Sequence, residues 1–245
     1  GTPQEAKAVP LLTELLAEDR GNEWCLLTLA RCQIRLGKPG EARATLETAP
    51  PAIRQTGQAQ LVFAELAFAE NDPAAALNHL QTAERSGGSH PLLFNQLGRA
   101  YLLLKRWDDA RSAFQKSIEA EPDNPAAFDG LARVHLECGE VDRAVEESLH
   151  AVGLIHFFPE AHYHLAVGLE RLGKAPEAIL AYETALGMGY RKKLIHCRLA
   201  ELYRPIDPQK AAKHENILRN SRKRRVYRAD INSRLPPAGS SNRPA

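Results

Sequence analysis

Long apolar runs and an excess of one charge are both absent from this 245-residue sequence. The longest apolar stretch, residues 61–69, contains Glu65 and is far shorter than the roughly 20 residues needed to cross a bilayer, which excludes a membrane-spanning helix. The 32 Lys and Arg nearly balance the 30 Asp and Glu, leaving a formal net charge of +2. No global field therefore directs the protein to nucleic acid or an anionic membrane, and we expect neither as its partner.

Cysteine and methionine are also scarce. The four cysteines are Cys25, Cys32, Cys138 and Cys197. They include no Cys-x-x-Cys pair, which argues against a disulfide scaffold or a zinc ribbon. Met188 is the single methionine and the chain begins with Gly1, so the start resembles a cut inside a longer protein. No basic segment followed by an apolar core is visible, and with reduced thiols this favours a cytoplasmic location.

A period of 34 residues organises most of the chain, in windows that begin at residues 23, 57, 91, 125, 159 and 193. The seventh place of each window is large and apolar: Leu29, Phe63, Leu97, Leu131, Leu165 and Leu199. The eighth place is small: Ala30, Ala64, Gly98, Ala132, Ala166 and Ala200. The twentieth place is alanine throughout: Ala42, Ala76, Ala110, Ala144, Ala178 and Ala212. A single window cannot bury both of its faces, so the period predicts stacked repeats.

Each window contains two amphipathic helices. In the third window Phe94, Leu97 and Tyr101 recur at helical spacing, and Ala110 and Phe114 do the same in its second half. Turn residues that tolerate a left-handed backbone stand between the paired helices: Gly37, Asn71, Gly139 and Gly173. The small residues at places 8 and 20 let helix backbones approach closely, and the large apolar residues fill the spaces between the helices. The sequence therefore predicts an all-α fold.

The period and the third window resemble the tetratricopeptide repeat. The residues that carry the likeness are Leu97, Gly98, Tyr101, Ala110, Phe114 and Pro122. The resemblance covers about residues 1–226 and is weakest where Gln33, Ala67 and His135 replace the usual aromatic residue. It implies a right-handed α-solenoid of antiparallel helix pairs, the tetratricopeptide superhelix, whose first helices line a concave groove. It also implies a non-catalytic scaffold that binds a peptide segment of a protein partner in that groove.

The period also predicts the boundaries of the repeats. Counting backwards places Ala8 and Leu12 in the second helix of an incomplete N-terminal repeat, residues 1–22. That helix is predicted to expose an apolar edge that drives self-association, formed by Leu11, Leu12, Leu15 and Leu16. Six repeats follow, the last with capping character: 23–56, 57–90, 91–124, 125–158, 159–192 and 193–226. The tail, residues 227–245, has little to bury and is predicted to be disordered.

The groove face of each first helix falls at places 2, 5, 6, 9, 12 and 13 of its window. The candidate partner-binding residues on it are Arg31, Arg35, Glu65, Asn95, Gln96, Arg99, Leu102, Asp129, Arg133, Leu136, Tyr163, His164, Arg171 and Arg198. Trp24 and Phe68 share this face. Arg99 and Arg133 occupy the same place in adjacent windows, so they are expected to grip an acidic segment together. In the alternative, Arg99 pairs with Asp129 or another neighbour and merely solvates the groove wall.

Two narrower likenesses bear on function. Some members of the family hold the carboxylate end of chaperone tails with Lys and Asn on successive first helices, but here Asn95 and Arg99 stand at those positions, so chaperone-tail binding is not predicted. Residues 152–173 are loosely similar to repeat regions of bacterial alkaline-phosphatase-superfamily or sulfotransferase-type proteins. That likeness leaves open a second function, in which the repeats position the catalytic domain or substrate of a larger bacterial enzyme.

Catalytic and metal-binding patterns are missing from the sequence. No Gly-x-Ser-x-Gly turn or Walker loop occurs, and His162 and His164 are two residues apart, so they point in different directions on a helix. We therefore expect no enzymatic activity in this chain, no cofactor and no metal. Near the C-terminus there is a basic run of Arg222, Lys223, Arg224 and Arg225. The run could contact anions, but the favoured explanation is a solvated helix end.

Overall fold

A computed structural model describes residues 3–19 and 21–220 of the protein, and every regular element in them is an α-helix. The helices are α1 (Pro3–Glu18), α2 (Glu23–Arg35), α3 (Pro39–Glu47), α4 (Pro51–Arg54), α5 (Gly57–Ala69), α6 (Pro73–Arg85), α7 (Pro91–Leu103), α8 (Trp107–Ala120), α9 (Pro125–Cys138), α10 (Val141–Leu154), α11 (Pro159–Arg171), α12 (Ala175–Gly187) and α13 (Lys192–Tyr203). Residues 208–220 form a further helical segment, α14. The all-α prediction is confirmed, whereas the predicted disordered tail and the basic run at 222–225 lie outside the described residues.

Consecutive helices pack as hairpins. The chain divides into two compact units, Gly1–His156 and Phe157–Ala245. In the first unit α5 packs on α6, α7 on α8 and α9 on α10, and in the second unit α11 packs on α12. These four pairs follow the second to fifth windows, so the predicted architecture of consecutive helix pairs is confirmed, while the boundaries of the repeats stay a prediction.

The helix starts recur with the same chemistry along the chain. Proline stands in the first turn of seven helices between α3 and α12: Pro39, Pro51, Pro73, Pro91, Pro125, Pro159 and Pro176. Side chains at five N-caps accept a hydrogen bond from a backbone N–H three residues on: Asn22, Thr56, Asp72, Asn124 and Asp207. Proline lacks the N–H that the first turn leaves unpaired, and the caps satisfy a second such donor, so each start is specified locally.

The helix ends follow the period as closely as the starts. Place 15 of five successive windows has positive φ, at Gly37 (74°), Asn71 (60°), Lys105 (58°), Gly139 (79°) and Gly173 (75°). The N–H of the following residue donates over 2.9 Å to the carbonyl five residues earlier in every case, which closes the last helical turn. Four of these turn residues were predicted from the sequence. Lys105 was not, because lysine carries no preference for this conformation.

The Lys105 turn yields a first testable change. We expect Lys105→Gly to stabilise the protein by about 0.5–1 kcal/mol. Glycine removes the strain that a β-carbon causes in the left-handed conformation, and this gain exceeds the additional backbone entropy that glycine loses on folding. The reverse substitution, Gly139→Lys, places the same strain in the equivalent turn and is expected to destabilise. Urea unfolding followed by circular dichroism measures both. An unchanged or lowered midpoint for Lys105→Gly would contradict the prediction.

The small places allow close helix contact. Ala30, Ala132 and Ala166 at place 8 are fully buried, and so is each described alanine at place 20 from Ala42 to Ala178. The space between α7 of the third window and α9 of the fourth is filled by the ring of Phe114, which is 3% exposed. A β-carbon built on Gly98 or Gly130 would lie 2.6 or 2.3 Å from that ring. The two glycines are therefore needed to admit Phe114 between α7 and α9.

The N-terminal edge differs in part from its prediction. Leu12 is 5% exposed and packs in a cluster with Cys25 and Leu29 of α2, so it is not part of an exposed edge. Leu11 and Leu15, in contrast, are 61% and 47% exposed. The helical spacing explains the division, since Leu11 and Leu15 are four residues apart and share the outer face, while Leu12 and Leu16 share the face toward α2. Self-association through the outer face stays a prediction.

Candidate functional site

Three first helices of the first unit, α2, α5 and α7, line one cavity of about 440 Å³. Its lining residues are Arg31, Ile34, Arg35, Glu65, Phe68, Ala69, Leu92, Gln96 and Arg99. All nine stand at places 2, 6, 9, 12 or 13 of their windows, which are among the places predicted to face a groove. The structure thus brings together five of the predicted binding residues in this unit: Arg31, Arg35, Glu65, Gln96 and Arg99.

Apolar side chains form part of the cavity wall. Ile34, Ala69 and Leu92 line it but were not among the predicted binding residues, because the prediction favoured polar side chains. The signal was available, since these residues stand at places 12, 13 and 2. Leu92 is 44% exposed, whereas Phe68 is 9% exposed and packs into the core below. The cavity therefore offers an apolar surface next to its charges.

Two of the cavity arginines have carboxylate partners. Arg31 Nε lies 3.2 Å from Glu65 Oε1, and Arg35 Nη1 lies 3.4 Å from Glu5 Oε1 on α1. Burial raises the pKa of Glu65, and the opposing effects of Arg31 and Arg35 do not cancel it. Carboxylates whose pKa is shifted by burial in a cavity are common at functional sites.

Arg99 differs from the other arginines of the cavity. Its guanidinium carbon lies 4.2 Å from the centre of the Phe68 ring, a cation–π contact, and it forms no ion pair within residues 3–19 and 21–220. Burial, followed by the like charge of Arg133, lowers the pKa of Arg99, although the group remains protonated at neutral pH. No ion pair joins Arg99 to Asp129 among the described residues, and the alternative in which Arg99 serves only to solvate the groove wall stays open.

Four predicted groove residues are buried instead. The exposed fractions are 6% for Leu102, 8% for Asp129, 6% for Leu136 and 7% for His164. Leu102 packs in a core cluster with Phe114. These four side chains are little exposed in the structure, and their role in partner binding stays a prediction.

Two further predicted residues lie on α7 and α9 but do not line the cavity. Asn95 Nδ2 donates to Asn124 Oδ1 over 3.2 Å, and that same oxygen caps α9, so Asn95 supports a helix start. Arg133 is half-buried on α9, which packs directly on α7. It has no ion pair with any residue that the structure describes, and its charge acts on Arg99.

The predicted residues of the second unit have other surroundings. Arg198 donates to both carboxylate oxygens of Glu170, which also accepts a hydrogen bond of 2.8 Å from the Tyr182 hydroxyl. Tyr163 packs edge-on against Tyr182 and Tyr190, with ring centres 5.9 and 5.6 Å apart. The second unit therefore uses Arg198 and Tyr163 for its own packing. Arg171 is exposed at the last residue of α11.

Metal ligands and membrane spans were searched over the same described ranges. No group of three or more His, Cys, Asp or Glu side chains there is placed to hold a metal ion. His162 and His164 are both buried, at 6% and 7% exposure, although one of them was expected to face the groove. No described helix combines the length and the apolar character that crossing a bilayer requires.

The repeated helix hairpins, with one turn conformation at one place of each window, define a helical repeat protein. Two family models described as "Tetratricopeptide repeat" match the chain, one at residues 4–66 and 105–147 and the other at residues 61–125. Together they span more than half of the sequence. The chain belongs to the tetratricopeptide repeat family.

Individual proteins resemble the chain more distantly. The Hsp70-Hsp90 organising protein of Plasmodium falciparum is 27% identical over 135 residues, which cover 49% of this chain and 24% of that protein. The structure of the APC/C hetero-tetramer Cut9-Hcn1 superposes with a TM-score of 0.77 at 19% identity, over 86% of this chain and 42% of that one. PilF of Pseudomonas aeruginosa gives 0.71 at 16% identity, over 87% of this chain and 97% of that one. The two structures show a shared fold, and the chain spans less than half of the first two proteins.

Proposed function

We propose that the cavity of α2, α5 and α7 binds an acidic, extended segment of a partner protein. The observation that carries the proposal is the Arg99 guanidinium, which stacks on Phe68 in the cavity wall without a described carboxylate partner. A partly desolvated cation without an internal partner gains most from an acidic ligand, because its charge-assisted hydrogen bonds form away from competing water.

The remaining lining residues suit a peptide with mixed chemistry. Leu92 and Ile34 offer apolar contact, and burying one large apolar side chain of the partner contributes roughly 1.5–3 kcal/mol. Gln96 supplies amide donors and acceptors for a peptide backbone. The cavity volume of about 440 Å³ lies within the range of pockets that bind small molecules, so the cavity has room for a few side chains of a peptide.

The scaffold acts by binding in this proposal, and the chain itself performs no chemistry. The second function, in which the repeats position a catalytic domain of a larger enzyme, has no observation in its favour among the described side chains. A cytoplasmic location also stays a prediction. Chaperone-tail binding is not proposed, because Arg99 and Asn95 stand where that mode requires other residues.

Charge reversal tests the proposal. We expect Arg99→Glu with Arg133→Glu to lose the protein captured from a lysate by the native chain, and to bind the acidic segment mapped from that protein about 30-fold or more weakly. The reason is that the reversal replaces attraction with repulsion at a partly buried contact. Mass spectrometry identifies the captured protein, an overlapping peptide array maps its segment, and fluorescence anisotropy measures the dissociation constant.

The matched control reverses two arginines that have carboxylate partners outside the cavity. Arg106 pairs with Asp109 over 2.8 Å and Arg143 with Glu140 over 3.1 Å, and both arginines are exposed. The control variant is expected to capture the same partner with an unchanged dissociation constant. Equal loss in both variants, or retention in the Arg99 and Arg133 variant, would contradict groove binding. Circular dichroism establishes that each variant remains folded.

A further inference from the structure

The cationic groups of the first helices outnumber their carboxylate partners. Glu65 is engaged by Arg31, and Glu5 is engaged by Arg35, whose side chain is 67% exposed. Arg99 and Arg133 are left, on two helices that pack on each other, without a carboxylate partner among the residues described. Two guanidinium groups on neighbouring helices, neither with a described carboxylate partner, are suited to an anion with more than one charge.

We propose that Arg99 and Arg133 together bind a phosphorylated serine or threonine side chain within the partner segment. This inference rests on the proposed function, since it names the acidic group that the groove recognises. A phosphate monoester carries about −1.5 to −2 charge at pH 7 and presents three acceptor oxygens. Two guanidinium forks can each donate a pair of hydrogen bonds to it, whereas a single carboxylate offers two oxygens and one charge.

The environment of Arg99 favours the dianion. Its like-charge interaction with Arg133 is unfavourable in the unbound protein, and a ligand of charge −2 relieves it more completely than a ligand of charge −1. Stacking on Phe68 fixes the plane of the guanidinium while leaving its N–H edge available. Arginine rather than lysine is required, because only a planar fork both stacks on a ring and binds phosphate in a bidentate manner.

The same surroundings argue for a phosphorylated protein segment over a nucleic acid. Leu92, Ile34 and Phe68 line the same cavity as Arg99, so the proposed ligand carries apolar groups next to its phosphate. Glu65 in the same cavity repels a continuous chain of phosphates. One phosphate flanked by apolar side chains satisfies both observations.

Titration of the full chain with small probes tests the inference. The protein is labelled with 13C-arginine, and the Cζ signals of Arg99 and Arg133 are followed with N-acetyl-O-phosphoserine amide, N-acetyl-glutamate amide and adenosine monophosphate. We expect the phosphoserine probe to reach half-saturation at a concentration at least about tenfold below that of the glutamate probe. Its binding weakens between pH 7.5 and 5.5, because the phosphate loses its second charge near pH 6, whereas glutamate binding does not change.

A pair of lysine variants separates geometry from charge. Arg99→Lys keeps the charge but loses the fork and is expected to weaken phosphoserine binding about tenfold. Arg106→Lys is the matched control, since Arg106 also stacks on a ring, that of Tyr101 at 4.7 Å, but is paired with Asp109. It is expected to leave binding unchanged.

The outcomes distinguish this inference from the function on which it rests. Equal affinities for the phosphoserine and glutamate probes, or full binding by Arg99→Lys, would overturn phosphate recognition and leave acidic-segment binding in place. Tighter binding of adenosine monophosphate would overturn the assignment to a phosphorylated protein. If none of the probes moves the Arg99 or Arg133 signal, and the captured segment is unaffected by charge reversal, both proposals fail.

Discussion

Replacing Gly130 by alanine is expected to destabilise the protein by about 1–3 kcal/mol, because the new β-carbon would overlap the Phe114 ring. An ideal β-carbon would lie 2.3 Å from Cε1 of that ring, where ordinary contacts are longer than 3.4 Å. A β-carbon built on Gly98 would lie 2.6 Å from the same ring, so the ring already packs against the backbone of α7 and has little room to move away from α9. The helix propensity of alanine opposes the loss by only about 0.5–1 kcal/mol.

A second substitution tests the cause of that loss. Phe114→Leu removes the ring atoms that meet the new β-carbon, so Gly130→Ala is expected to be much less harmful in a Phe114→Leu background. Gly153→Ala is the matched control, because Gly153 is also inside a helix but nothing lies within 4 Å of its β-carbon position. That control is expected to be neutral or stabilising. Denaturant unfolding of the four variants measures the coupling between positions 114 and 130. If the changes in unfolding free energy of the two single variants add up to that of the double variant, the proposed overlap with the Phe114 ring would be refuted.

Loss of the Glu170 charge is the second large effect that we expect. Glu170→Gln is predicted to destabilise the protein by about 2 kcal/mol, since the carboxylate accepts from Arg198 and from the Tyr182 hydroxyl at once. Tyr182 is fully buried, and burial followed by this hydrogen bond raises its pKa. An amide in place of the carboxylate turns one acceptor into a donor that faces the Arg198 guanidinium. Arg198 remains 40% exposed, which keeps the effect below that of a fully buried pair.

The same arginine provides the control for this prediction. Glu201 binds Arg198 Nη1 over 2.6 Å but is 55% exposed, so Glu201→Gln is expected to change the free energy of unfolding by less than about 0.5 kcal/mol. Thermal and urea unfolding of both variants at pH 7 measure the difference. Equal effects from the two substitutions would show that burial and the tyrosine contact add nothing to the Glu170 pair.

The candidate site was predictable as a set of places but not as a set of contacts. The repeat places alone mark all nine cavity residues, because a helical period determines which side chains share a face. The same periodicity does not show whether a side chain can contact a ligand or is already paired within the protein. Arg99 and Arg198 are both arginines on predicted groove faces, yet only Arg198 has a carboxylate partner among the described residues.

Sequence alone determined the all-α class, the 34-residue repeat, the helix starts and most of the turns, because each of these depends on residues within one turn or one window. Tertiary structure decided which predicted residues remain accessible and which charges are neutralised. The decisive contacts join residues far apart in sequence, such as Arg31 with Glu65, Arg198 with Glu170, and Phe114 with the two helices on either side of it. Such contacts depend on how closely neighbouring helices approach, and the small residues that permit this approach do not specify which polar side chain will meet which.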